Sequence, residues 1–255
     1  MQAFNEPTNG AGYAKLGEAS SESLTASLQP QGGLYIAIGD PSGDAAQDLS
    51  SPYGKLLLQG INDPFAGASL RPPEEIELNP EIIGDGIHRP GGFTPNADFL
   101  FLADSGASLE HELTIFRRDW RPLDFGWPFY EGSRATRSNP PAAINGPTLV
   151  YGVGNGFKQG EGIIAGRLND PSRFEMLGDT YVFADTNGTI WSVPRSLLID
   201  GFRHSSNEFE DRSEDFVPDE GTIDSPIAFA SGTGSDHFYI LDSDGEIFRV
   251  EAAQN

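Results

Sequence analysis

Four stretches of the chain share one pattern: an apolar strand, an Asp, a short polar turn, then a second strand that is again mostly apolar. They are LYIAIGD (Leu34 to Asp40) leading to GKLLLQ, FLFLAD (Phe99 to Asp104) leading to HELTIFR, TYVFADTNGTIWSV (Thr180 to Val193), and FYILDSDGEIFRV (Phe238 to Val250). Runs such as FLFL and YVF are apolar at successive positions rather than alternate ones. This suits strands buried on both faces, between neighbouring sheets. The last two copies carry Asn187-Gly188 and Asp244-Gly245 at the turn, a signal for type I′ hairpins with positive φ at both central residues. Strands are predicted at 34–39, 99–103, 180–184, 189–193, 238–242 and 246–250.

The gaps between successive hairpins hold more than two strands each, roughly one four-stranded antiparallel sheet with long loops. Sheets repeated in this way make an all-β chain, a β-propeller of four-stranded blades, with four blades recognisable. A β-sandwich or a two-domain β-protein is the alternative. The expectation is a single propeller domain over 1–255, with 1–31 outside the recognisable repeats. Helix is minor, and RSLLIDGF (Arg195 to Phe202) suits one or two turns. The stretch NEFEDRSEDFVPDEG (Asn207 to Gly221) is acidic and contains Pro, and reads as a surface loop.

Composition agrees. Of 255 residues, 31 are Gly and 19 Pro, about a fifth of the chain against a usual ~12%. The 38 acidic and 16 basic residues give a formal charge of −22. That excludes the basic footprint of a nucleic-acid binder and disfavours anionic membranes. Cys is absent, which rules out disulfides and thiolate metal sites. No apolar run approaches a membrane span, so no membrane insertion is expected. The N-terminus, MQAFNEPTNGAGYAKLGEAS, has no basic segment followed by an apolar core, so it does not read as a signal peptide. The chain is then expected either to be cytoplasmic or to begin downstream of the true N-terminus.

Five segments, in order, resemble the glucose/sorbosone dehydrogenase family of soluble aldose dehydrogenases that use pyrroloquinoline quinone (PQQ). LYIAIGDPSGDAAQDLSSPYGKLLLQG resembles a strand ending in G-x-G-D, an Asn/Gln-rich loop, then L-x-G-K-[IL]-L. GIHRPGGF (Gly86 to Phe93) sits where the family has G-L-R-N-P-x-G-F. FLFLADSGASLEHELTIF, DFGWPFYEG (Asp124 to Gly132) and GDTYVFADTNGTIWSV resemble its L-x-x-x-D-x-G-x-x-x-x-E-E-I, N-Y-G-W-P-x-x-E-G and G-x-Y-V-F-G-D-x-x-x-G-x-I-W segments. The resemblance runs from about residue 32 to residue 250.

The resemblance implies a six-bladed propeller, exported to the periplasm or outside the cell, with PQQ over the central axis and Ca²⁺ beneath it. It also implies a small-molecule sugar as substrate, an electron acceptor, and a His that takes the anomeric hydroxyl proton. In this chain the R-N-P segment becomes His88-Arg89-Pro90, which makes His88 and Arg89 the candidate cofactor contacts and His88 a weak candidate base. The family's metal-binding carbonyls map to Gly106 and Ala107. Asp40 and Asp44 lie in a loop that holds a second calcium in some relatives. Arg167 and Arg195 are the nearest matches to the basic residues that hold the quinone's carboxylates. The family's catalytic His, in an H-N-G-G segment, falls near Ser20 or Ser21 here, where the Gly pair is also missing. Two readings follow: a PQQ-dependent sugar dehydrogenase-like oxidoreductase, weakly active or inactive as this chain, or a non-catalytic propeller that binds a partner. An open propeller would also favour self-association.

Other motifs read as structural. His111, His204 and His237 share no metal spacing, Asp242 to Gly245 suits a hairpin turn, and Trp127-Pro128 suits packing between blades. Gly152 to Gly156 is followed by no helix signal, so it is not a dinucleotide loop.

Overall fold

The computed structural model describes residues 24–28, 33–60, 80–96, 98–231 and 237–252. Each predicted hairpin lies in its own antiparallel sheet, within a residue of the expected bounds. Numbering strands along the chain, the first sheet is β1 (Leu24–Leu28), β2 (Gly33–Ile38), β3 (Lys55–Gly60) and β4 (Glu81–Asp85), with the short β8 (Leu123–Asp124) parallel to β4. The second is β5 (Pro90–Pro95), β6 (Phe99–Asp104), β7 (Glu110–Arg117) and β11 (Leu149–Val153). Short β12 (Gln159–Gly160) and β16 (His204–Ser205) run parallel to β11, and β9 (Tyr130–Glu131) pairs with β10 (Arg134–Ala135). The third sheet is β13 (Ile163–Leu168), β14 (Thr180–Asp185), β15 (Ile190–Pro194) and β17 (Glu210–Asp211). The fourth is β18 (Pro226–Ser231), β19 (His237–Asp242) and β20 (Ile247–Glu251), three strands among the described residues.

The first strands of the sheets are neighbours: β5 packs against β1 and β13, and β13 against β18. This is the arrangement of blades around a propeller axis. The side chains explain why the strands are apolar at successive positions. Leu100 and Leu102 of β6 face the first sheet, joining Tyr35, Ala37 and Leu56, while Phe101 and Ala103 face the third, joining Tyr181, Phe183 and Trp191. Along β14, Tyr181 and Phe183 face back, and Val182 and Ala184 join Phe238 and Ile240 of the fourth sheet. A blade between two blades has no polar face, and its strands lose the period-two alternation.

Two expectations are corrected. The Asn-Gly and Asp-Gly turns are not type I′: Gly188 has φ 90° and Gly245 φ 100°, but Asn187 and Asp244 are not among the residues of positive φ. The Gly188 N–H donates to the Asp185 carbonyl (3.0 Å) and the Gly245 N–H to that of Asp242 (3.1 Å), turns that begin one residue earlier than a two-residue loop. The Asp185 carboxylate accepts from Asn187 N, and that of Asp242 from Ser243 N, which draws each turn back onto the strand end. Glycine then supplies the one left-handed residue the hairpin requires. The acidic Asn207–Gly221 stretch, expected as a surface loop, instead forms β17 and two 3₁₀ turns and buries Phe209 and Phe216 in the cores on either side of the third sheet. The predicted helix at Arg195 is a single 3₁₀ turn, Arg195–Leu198.

Candidate functional site

The recurring Asp is a structural strap. In the second sheet, Asp104 at the end of β6 accepts the backbone N–H of His88 (2.8 Å) and of Arg89 (2.5 Å), the two residues before β5. In the third, Asp185 accepts from Glu161 and Gly162, the two residues before β13, and in the fourth Asp242 accepts from Asp224 and Ser225, the two before β18. Each of these three blades thus pins the approach to its innermost strand with the carboxylate that ends its second strand. Asp40 differs: its carboxylate turns into its own loop, onto Ser42 Oγ (2.7 Å) and Ala45 N (2.7 Å). Burial opposes its charge, but these bonds outweigh burial and hold its carboxyl below the usual range.

In the second blade the strap places His88 and Arg89 beside the Ser105–Gly106 peptide. His88 Nδ1 donates to the Ser105 carbonyl (2.5 Å), and its ring lies 4.2 Å from that of Trp127, whose Nε1–H donates to the Asp40 carbonyl. Trp127 therefore packs between the loop after β2 and the approach to β5. His88 is buried, and burial pushes its imidazole towards the neutral form. It lines a cavity of about 10 Å³ with Asp104, Glu110, Glu112, Trp127 and Glu131, the room of one water or ion. Burial raises Asp104 to about 7 and drives Glu112 well above the usual carboxylate range. Glu110 is held low, because its bonds to Arg134 and Ser133 outweigh its burial. Glu131 Oε1 accepts the backbone N–H groups of Ser108, Leu109 and Glu110. A groove of about 640 Å³ adjoins this cavity, shares Glu110 with it, and is lined by Leu109, Tyr151, Gln159 and Ser205.

The structure brings together His88, Arg89, Gly106 and Ala107. Arg89 is exposed, and no donor among the described residues reaches the carbonyls of Gly106 or Ala107. Asp44 is exposed and Asp40 is spent on its own turn, so the two carboxylates do not converge. No three His, Asp or Glu side chains among the described residues form a metal-type cluster. Arg167 and Arg195 lie elsewhere. Arg167 pairs with Val182 along β14, and its guanidinium lies 4.2 Å from the Phe238 ring centre. Arg195 pairs with Asp179, before β14, at 3.3 Å. The strap end of β14 is Asp185, so Arg195 is at the opposite end of the blade, about 20 Å away at ~3.3 Å per residue. Ser20 and Ser21 lie outside the described residues.

His111 is the residue that spacing did not reveal. It is fully buried, accepts from Gly106 N through Nδ1 (3.1 Å) and donates from Nε2 to the Gly160 carbonyl (3.0 Å). Lys55, part of the GKLLLQ motif, is also fully buried and donates to the carbonyls of Ala45, Ala46 and Tyr53. It holds the 40–54 loop with an ammonium.

These features define an all-β propeller whose strap end carries a buried imidazole, free loop carbonyls and four carboxylates. Solved structures share that fold. An aldose sugar dehydrogenase from Streptomyces coelicolor in its PQQ-bound form is 17% identical with a TM-score of 0.57, over 89% of this chain and 60% of that one. A glucose dehydrogenase is 17% identical with a TM-score of 0.62, over 90% and 63%. The PQQ domain of a pyranose dehydrogenase from Coprinopsis cinerea is 11% identical with a TM-score of 0.53, over 89% and 69%. The chain thus spans about 60% of the length of the first two. No family model and no curated protein matches the sequence.

The described residues fit the two groups implied by the resemblance unequally. The carbonyls of Gly106 and Ala107 accept from no donor among the described residues, and Gly106 lines the cavity with Asp104, Glu110 and Glu131, a setting that suits a hard cation. A quinone bearing several carboxylates meets the opposite: the acidic side chains of Asp104, Glu110, Glu112 and Glu131 line the cavity, Arg134 is engaged by Glu110 (2.9 Å), and exposed Arg89 does not line it. These residues do not fit the quinone.

Proposed function

We propose that this chain is a propeller of the PQQ-dependent sugar dehydrogenase type that keeps a proton acceptor and a cation loop but, among its described residues, lacks the cationic clamp for the quinone. The observation that carries this is the orientation of His88. Its Nδ1–H is committed to Ser105 O, which leaves Nε2 as the nitrogen able to accept a proton. In this reading His88 Nε2 would take the anomeric hydroxyl proton of an aldose as its C1 hydride leaves to a two-electron acceptor supplied from solution, the sugar entering by the groove that meets the His88 cavity at Glu110. Ca²⁺ on the Gly106 and Ala107 carbonyls would supply Lewis-acid polarisation. With the clamp missing, the chain oxidises aldoses at a small fraction of the rate of the enzymes it resembles. Its place is the periplasm or outside the cell, and it passes electrons to a separate acceptor.

The second reading, a non-catalytic binding propeller that self-associates, is favoured by the placement of Arg167 and Arg195 away from the cavity. Dye reduction with PQQ, Ca²⁺ and an aldose panel separates the two. Weak turnover that disappears in His88→Ala supports the proposal, because a positioned base contributes about 10²–10⁴-fold. Robust turnover contradicts the missing clamp. Complete inactivity of the wild-type chain favours the binding module.

A further inference from the structure

His88 and His111 grip the same peptide unit from its two sides. The Ser105–Gly106 peptide offers its carbonyl to His88 Nδ1 (2.5 Å) and its N–H to His111 Nδ1 (3.1 Å). A carbonyl accepts only from a protonated nitrogen, and an N–H donates only to an unprotonated one, so each contact fixes a tautomer. His111 must carry its proton on Nε2, which agrees with its bond to Gly160 O (3.0 Å). His88 must carry its proton on Nδ1. The clamp has little slack: Ser105 N donates to Arg89 O (2.8 Å), Ser105 Oγ accepts from Ile163 N (3.0 Å), and a Cβ at Gly106 would collide with the Glu110 carbonyl. Hydrogen bonds at the two ends of one amide polarise it in the same sense and strengthen each other.

We propose that His111 is a positioning residue for His88. Acting through the Ser105–Gly106 peptide, it holds His88 in the Nδ1–H tautomer and presents Nε2 to the acidic cavity. The proposal rests on the reading of His88 as proton acceptor, but its test does not depend on turnover.

The experiment is a two-bond ¹H–¹⁵N correlation spectrum of the full chain labelled in its histidine rings, taken near neutral pH. In the wild type His88 should be Nδ1–H and His111 Nε2–H. His111→Asn keeps an oxygen that accepts from Gly106 N, and His88 should stay Nδ1–H. In His111→Leu, with an unchanged circular dichroism spectrum, His88 should become a mixture of both tautomers. His88 found as Nε2–H in the wild type would overturn the proposal. So would a folded His111→Leu protein in which the His88 signals do not move. Should the Leu variant not fold, the wild-type and Asn spectra decide it: loss of the Nδ1–H form in folded His111→Asn contradicts the rescue. An inactive chain with the expected tautomers would sink the catalytic reading and leave the positioning intact.

Discussion

At the scale of single residues, one carboxylate recurs with one task. The sequence shows that Asp40, Asp104, Asp185 and Asp242 repeat, but not that three of them reach across their blade to the two residues before the inner strand. That partnership joins residues about 16 to 24 apart through backbone N–H groups, which leave no trace in residue type. His88 was legible through the G-I-H-R-P-G-G-F segment, whereas His111 was not, because both its partners are main-chain atoms. Asp185 has a further donor, the buried Tyr151 hydroxyl at 2.7 Å. Tyr151→Phe should destabilise the fold by about 1.5–3 kcal/mol, the worth of a hydrogen bond to a charged group. Urea unfolding of the two proteins measures it, and equal midpoints would show that the strap does not need the phenol.

At the scale of elements, the strands were legible because burial on both faces writes an unbroken apolar run, as in FLFL of β6. The segment around β17 was not, because its charges dominate while its two anchors, Phe209 and Phe216, are isolated in sequence. Phe209 packs against Tyr151, Phe183 and Trp191. Phe209→Ala should therefore cost about 3–5 kcal/mol, as large aromatic truncations in cores do, whereas an alanine at exposed Glu210 should fall within about 0.5 kcal/mol. Similar effects for the two substitutions in denaturant melts would return this segment to the status of a surface loop. The turns depart from type I′ for a local reason: the Asp side chains compete for the turn's N–H groups, which the Asn-Gly and Asp-Gly pairs do not reveal.

At the scale of the whole molecule, the acid excess is partly inside. Burial raises Asp104 to about 7 and, with the Asp124 carboxylate beside it, Asp85 to about 6, while Glu112 is also raised by burial. A carboxyl that holds its proton more tightly folded than unfolded adds stability that is complete below about pH 4 and is lost as pH rises through the folded value. The melting temperature should therefore rise from pH 8 to pH 5.5. A melting temperature that falls steadily from pH 8 to pH 5.5 would contradict the assignment. Calcium should act in the same place: binding to the folded chain at 100 times the dissociation constant adds about 2.7 kcal/mol. Melts with millimolar Ca²⁺ and with chelator should then differ by several degrees, and Gly106→Val, which meets the Glu110 carbonyl, should abolish the difference.

This propeller shares its fold with a PQQ-bound aldose sugar dehydrogenase, and on the function proposed above its described residues offer no cluster of cations to hold that cofactor. Calorimetric titration of PQQ into the full chain with Ca²⁺ present tests it most directly. Binding weaker than about 10 µM, or none, is the predicted result, because among the described residues Arg134 is engaged by Glu110 and Arg167 and Arg195 lie away from the acidic cavity. Saturable one-to-one binding below about 1 µM would contradict it.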